Sequence, residues 1–99
     1  MKQINIGAVA PFDMGGMKQK ALKPLEEAAD VFAAWQRYHS ACELNMAKSG
    51  YAAIMLMEEI ADCIQACCNL AAAVGVGDLT PYMESCEQRN RERGRYGDE

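Results

Sequence analysis

Glu27 and Asp30 stand three residues apart, and so do Glu59 and Asp62. Side chains at i and i+3 share a helix face, separated by a rise of roughly 4.5 Å. Each pair therefore aims two carboxylates at one point if its segment is helical. If two such helices pack side by side, four carboxylates converge. Converging anions repel one another unless cations lie among them. Hard oxygen donors suit Mg²⁺, with Mn²⁺ as a substitute. Mg²⁺ keeps positions for water and substrate phosphates, so metal-assisted phosphate chemistry is what this set could perform. Carboxylates at this spacing also decorate solvated helix faces.

Glu59, Asp62, Gln65 and Asn69 follow one another at spacings of three, three and four. They form a polar stripe on an otherwise apolar segment. Buried polar groups need partners, and a metal–phosphate site would supply them, with Asn69 toward the substrate. Glu26 and Glu58 flank the pairs and could orient a water or face solvent. A ferritin-like di-iron centre requires Glu-x-x-His on two helices. The one histidine, His39, follows Gln36 by three residues, so that centre is excluded. His39 reads as a partly exposed residue at a helix end. No Walker-type phosphate loop and no nucleophilic serine elbow occur.

Three helical segments must position these residues. Residues 1–16 lack helical periodicity, with Pro11, Gly15 and Gly16 as punctuation; an arm or loop is expected, with a short extended piece at Ile4–Val9. A first helix runs from Met17 or Pro24 to the low forties, with Leu25, Ala28, Ala29, Phe32 and Trp35 at three and four spacing. Trp35 fits the core better than a base-stacking role. Residues 39–50 read as a helix end and connection, and Ser49-Gly50 offers a cap. A second helix spans Tyr51 to Val74, with Gly75 as its stop. It is apolar around most of its circumference, so burial on several sides is expected. Thr80 as N-cap and Pro81 at the first helical position open a third helix that ends at Gly94. The domain then covers residues 17–96, with 97–99 as a tail.

The chain has 99 residues, 51% of them hydrophobic and only 7% aromatic. Ala, Met and Leu dominate that apolar content and favour helices. The expected fold is all-α: an antiparallel bundle of about three helices, completed by homo-oligomerisation as a dimer or tetramer. The apolar fraction excludes predominant disorder. Asp62, Gln65 and Asn69 interrupt the most apolar stretch, which excludes a membrane span. No signal peptide is evident, so a cytoplasmic location is expected. The cysteine count of five is odd, and free, mostly buried thiols are expected. The net charge is −4, yet Arg89, Arg91, Arg93 and Arg95 fall within seven positions. That run could meet an anion such as phosphate. Interleaved Glu92 and the overall acidity argue against nucleic acid as the partner.

Glu26-Glu27-x-x-Asp30 followed by Glu59-x-x-Asp62 resembles the E-E-x-x-E…E-x-x-D signature of the MazG-like all-α nucleoside triphosphate pyrophosphohydrolases. Met57-Glu58-Glu59-Ile60-Ala61-Asp62 is especially similar to its second half. The string from Glu87 to Tyr96 resembles the basic, Asn-containing C-terminal segment of many members, particularly small phage or prophage types. The resemblance covers residues 20–96. It implies Mg²⁺-dependent cleavage of a (d)NTP between the α- and β-phosphates, giving (d)NMP and pyrophosphate. It implies Glu27, Asp30, Glu59 and Asp62 as metal ligands. Glu26 or Glu27 would help activate the attacking water. Lys23, Arg89, Asn90, Arg91 and Arg93 would contact phosphate. Two departures stand out. Asp30 replaces the usual Glu, shortening one ligand by a methylene. A long separation of 28 residues lies between Asp30 and Glu59. The competing expectation is a helical interaction or regulatory module without catalysis, its carboxylates serving as surface charge.

Overall fold

The computed structural model describes residues 3–44 and 49–97. It contains three helices, α1 (Met17–Glu43), α2 (Ser49–Ala73) and α3 (Thr80–Glu92), as the all-α expectation required. Residues 45–48, within the expected connection, lie outside the described residues.

The start of α1 falls at Met17, not Pro24. Gly16 directs its N–H to Gln19 Oε1 at 2.8 Å, and its carbonyl accepts the Lys20 N–H at 3.1 Å. This local cap nucleates the helix one turn and more before the proline. Pro24 then lies inside α1, where it donates no backbone hydrogen bond to the preceding turn.

Ser49 and Gly50 are helical residues of α2 and not its cap. Its C-terminus is closed by a Schellman motif. Gly75 adopts φ +90°, Gly75 N–H donates to Ala72 O and Val76 N–H to Ala71 O, both at 3.0 Å. A residue with a Cβ is strained in that left-handed conformation. Gly94 (φ +71°) closes α3 in the same way, with Arg95 N–H donating to Asn90 O at 3.0 Å.

At the start of α3 the N-cap is Leu79, one residue before the expected Thr80, and its side chain makes no capping hydrogen bond. Asp78 Oδ1 accepts the Thr80 N–H at 2.9 Å. That bond holds the Asp78 carboxyl below its ordinary range. Thr80 is already helical, which moves Pro81 to the second helical position.

Helices α1 and α2 pack as an antiparallel pair. Cys63 Sγ donates to Pro24 O at 3.9 Å near one end, and Ala41 shares a hollow with Tyr51 and Ala52 near the other. Helix α3 packs against neither of them. The core of one chain is accordingly slight: Ala34, Ala41 and Ala66 are its only buried residues among those described. The expectation that α2 is buried on several sides fails within one chain, because α1 covers a single side. Ile54, Met57 and Val74 are exposed, as are Phe32 and Leu25 on α1. Trp35 is 42% exposed instead of buried. It stacks between Phe32, 5.9 Å between ring centroids, and the half-exposed His39, 4.9 Å away. All five cysteines are free, but Cys42 and Cys67 are exposed, not packed.

The accessible surface is 7861 Å². A compact monomer of 10.9 kDa exposes roughly 5,600 Å². The radius of gyration, 16.3 Å, likewise exceeds the ~13 Å of a compact chain of this length.

Candidate functional site

Antiparallel pairing places the middle of α1 against the first half of α2. Glu27 and Asp30 on α1 and Glu59 on α2 then offer carboxylate oxygens that all lie within 4.8 Å of one another. Two ligands of an octahedral Mg²⁺ at about 2.1 Å lie at most ~4.2 Å apart. Adjacent ligands lie only ~3.0 Å apart, so oxygens at the outer bound must each move inward by about an ångström, within the reach of side-chain rotation on flexible stems. The donor set, three hard anionic oxygens, fits Mg²⁺ or Mn²⁺.

Asp62 falls outside this set. It sits one turn along α2, where it lines a neighbouring cleft with Glu27. Its charge still acts on the cluster. Partial burial, followed by the charges of Asp30, Asp62 and Glu27, raises the Glu59 carboxyl above its ordinary value of 4.5, with Arg37 opposing weakly.

Lys23 sits one turn before Glu27. Its ammonium lies 3.2 Å from Glu27 Oε1 and 3.5 Å from Glu26 Oε2, and these contacts raise its pKa. The Glu27 side chain is only 13% exposed, so this ion pair partly offsets the repulsion at its edge of the cluster. Glu26 contributes no oxygen to the three-carboxylate cluster and lines the cleft beside it.

That cleft has a volume of about 600 Å³ and runs between α1, α2 and the segment preceding α1. Its lining includes Lys20, Lys23, Glu27, Gln65, Asn69 and Phe12. Asn69, expected to face substrate, directs its carbonyl oxygen elsewhere. Asn69 Oδ1 accepts the Phe12 N–H at 2.9 Å and the Gln65 Nε2 at 2.8 Å. Gln65 also donates to Ala10 O at 3.0 Å. The lower half of the polar stripe thus binds the N-terminal arm, which supplies the partners that its buried side requires. Ile4–Val9 forms no strand.

The basic C-terminal residues are not brought to the carboxylates within one chain, because α3 packs on neither α1 nor α2. Arg89 Nη1 donates to Ser85 Oγ at 2.7 Å, and Asn90 accepts from Arg95 Nη1 at 2.9 Å. Arg91 pairs with Glu87 at 3.7 Å and lies over the Tyr96 ring, 4.6 Å from its centroid. Arg93 is exposed at the C-cap of α3.

Lys20 and Phe12 were not among the expected site residues. Lys20 lies three before Lys23, so helical spacing alone could have flagged it. Phe12 precedes any periodic segment and carries no local signal. Comparison of the chain with protein-family models, with curated proteins and with solved structures gives no match. No helix among the described residues is long and apolar enough to cross a membrane.

The Glu59 environment has a pH signature. A carboxyl whose folded pKa is raised favours the protonated form, so its stabilising contribution is full below pH 4.5 and is lost as pH rises through the raised value. Under chelator at pH 7, Glu59→Gln is expected to raise the Tm followed by circular dichroism. The gain should close as the pH is brought down to about 4, where the parent side chain is itself neutral. A Tm lowered by the substitution at pH 7 contradicts this electrostatic account.

Proposed function

We propose that the chain is a Mg²⁺-dependent nucleoside triphosphate pyrophosphohydrolase of the MazG-like kind, acting on nucleotide pools. The observation that supports this reading most directly is the convergence of Glu27, Asp30 and Glu59 from two helices onto one point, beside a cleft carrying Lys20 and Lys23. Exposed acidic groups also occur without a metal; what favours the metal reading is that these three come from two helices and meet at one point. Such pairing is stable when a cation offsets it.

In this reading Glu27, Asp30 and Glu59 hold the metal, and Asp62 reaches it through a water or acts from the cleft side. The bound metal supplies charge neutralisation on the phosphates and a more acidic water. Glu26, outside the three-oxygen cluster and on the cleft wall, would take a proton from the attacking water. Its contact with Lys23 orients the carboxylate. Lys23 offers its ammonium to a phosphate oxygen once substrate competes for its contacts with Glu26 and Glu27.

The same reading includes a homo-oligomer. The surface exceeds that of a compact chain by roughly 2,300 Å², which falls in the range that an obligate partner buries per chain. Apolar residues on α1 and α2 are the material for such an interface. A second copy is also what could carry Arg89, Asn90, Arg91 and Arg93 to an acidic cluster, since their own chain does not.

Two measurements test these statements. Pyrophosphate release from a panel of canonical and modified nucleoside triphosphates is expected with Mg²⁺ or Mn²⁺ and not with chelator. Glu59→Ala should lower it about 100-fold or more, the equivalent of several kcal/mol of charge stabilisation, with helicity retained. No turnover of any nucleotide by the parent protein, together with an unmoved Tm on adding Mg²⁺ and a nonhydrolysable triphosphate, favours the non-catalytic interaction module. Sedimentation equilibrium is expected to return a multiple of 10.9 kDa; a single-chain mass at micromolar concentration contradicts the oligomer.

A further inference from the structure

The segment before α1 is tied to the helical pair at three points. Ala10 O accepts from Gln65 Nε2, Phe12 N–H donates to Asn69 Oδ1, and Asp13 forms an ion pair with Lys20. The Lys20 side chain is only 14% exposed, so this pair is well sheltered at its basic end. Together these ties make the arm one wall of the cleft. They bring in Phe12, the one aromatic ring among the cleft's lining residues, with Met14 beside it.

The cleft is thereby graded. Near α1 it carries Lys23, Glu26 and Glu27, next to the proposed metal cluster. On the arm it carries the Phe12 ring and Met14. Gln65 Oε1 and Asn69 Nδ2 make no hydrogen bond among the described residues, which leaves one acceptor and one donor beside that ring. A volume of about 600 Å³ lies within the range of small-molecule sites.

We infer that the N-terminal arm is the nucleobase wall of this cleft, with Phe12 presenting its ring face to the planar base of a nucleotide whose phosphates lie toward Lys23 and Glu27. The inference rests on the metal–phosphate reading above and adds to it the group that holds the base. Every base has a π-face, so stacking on Phe12 provides affinity for a nucleoside without choosing among bases. Choice falls to Gln65 and Asn69, whose remaining donor and acceptor meet the base edge. The same two side chains hold the arm in place, so wall and edge are positioned by one pair of residues.

Equilibrium binding tests this independently of turnover. The probes are an α,β-imido nucleoside triphosphate, which resists cleavage, and inorganic tripolyphosphate, which has no base, both with Mg²⁺. The parent protein is expected to bind the nucleotide at least about ten-fold tighter than tripolyphosphate. Phe12→Ala should remove most of that difference and leave tripolyphosphate binding unchanged. Asn69→Leu, which deletes the acceptor of the Phe12 N–H, should do the same through release of the arm. Circular dichroism checks that the helices persist in both variants. Equal binding of the two probes by the parent overturns the inference, and so does full nucleotide preference in Phe12→Ala. Selective nucleotide binding without pyrophosphate release would instead overturn the catalytic reading and leave the base wall standing.

Discussion

Glu59 faces Asp30 and Glu27 across the seam between α1 and α2, within a few ångströms and partly withdrawn from water. Like charges at such distances cost free energy, more so where the effective dielectric is below that of water. Among the described residues the repulsion is partly relieved by Lys23 on Glu27 and, more weakly, by Arg37 near Glu59. The placement of other elements makes sense relative to this constraint. Antiparallel pairing brings the two acidic segments level. The arm and the cleft lie immediately beside them, with Lys20 and Lys23 on the cleft wall. A divalent cation at the cluster would turn a local destabilisation into a ligand-dependent gain.

The same two helices leave most of their apolar surface uncovered. Among the described residues only alanines are buried, so the helices enclose little volume. A two-helix hairpin has one internal face, whereas α2 is apolar nearly all round. Helix α3, polar overall and packed on neither partner, does not cover the remainder. In the proposed reading scaffold and site draw on groups from outside a single chain, a second copy for the apolar surface and a cation for the acidic cluster. The proposed oligomer and the proposed metal answer these needs separately.

Local chemistry was legible in the sequence, and long-range placement was not. Gly75 and Gly94 announced helix ends correctly, because the left-handed C-cap favours glycine wherever it occurs. The i,i+3 pairs at Glu27/Asp30 and Glu59 met as helical spacing suggested, and Asp62 lies next to the cluster without joining it. Thr80 failed as a cap because the helix already includes it: Leu79 holds the N-cap position, and Asp78 Oδ1 accepts the Thr80 N–H. Pro24 left the start of α1 open, since a proline suits a first turn and only the Gln19–Gly16 bond sets the earlier start. Asn69 is the instructive case. Its stripe predicted a polar partner, but that partner proved to be the backbone of Phe12, 57 residues away, and no periodicity encodes such a contact. The arginine run shows the same limit: its composition signals an anion, while its distance from the carboxylates depends on a turn at residues 74–79.

The central claim is that the three carboxylates form a divalent-cation site and not a patch of surface charge. Titration of Mn²⁺ followed by the electron paramagnetic resonance of the free ion tests it without substrate or turnover. Loss of the free-ion signal to saturation at a fixed stoichiometry per chain is predicted, reversed by excess Mg²⁺ and largely abolished in Asp30→Asn. A free-ion signal that is the same with and without the protein, or a loss that Asp30→Asn leaves intact, would contradict it.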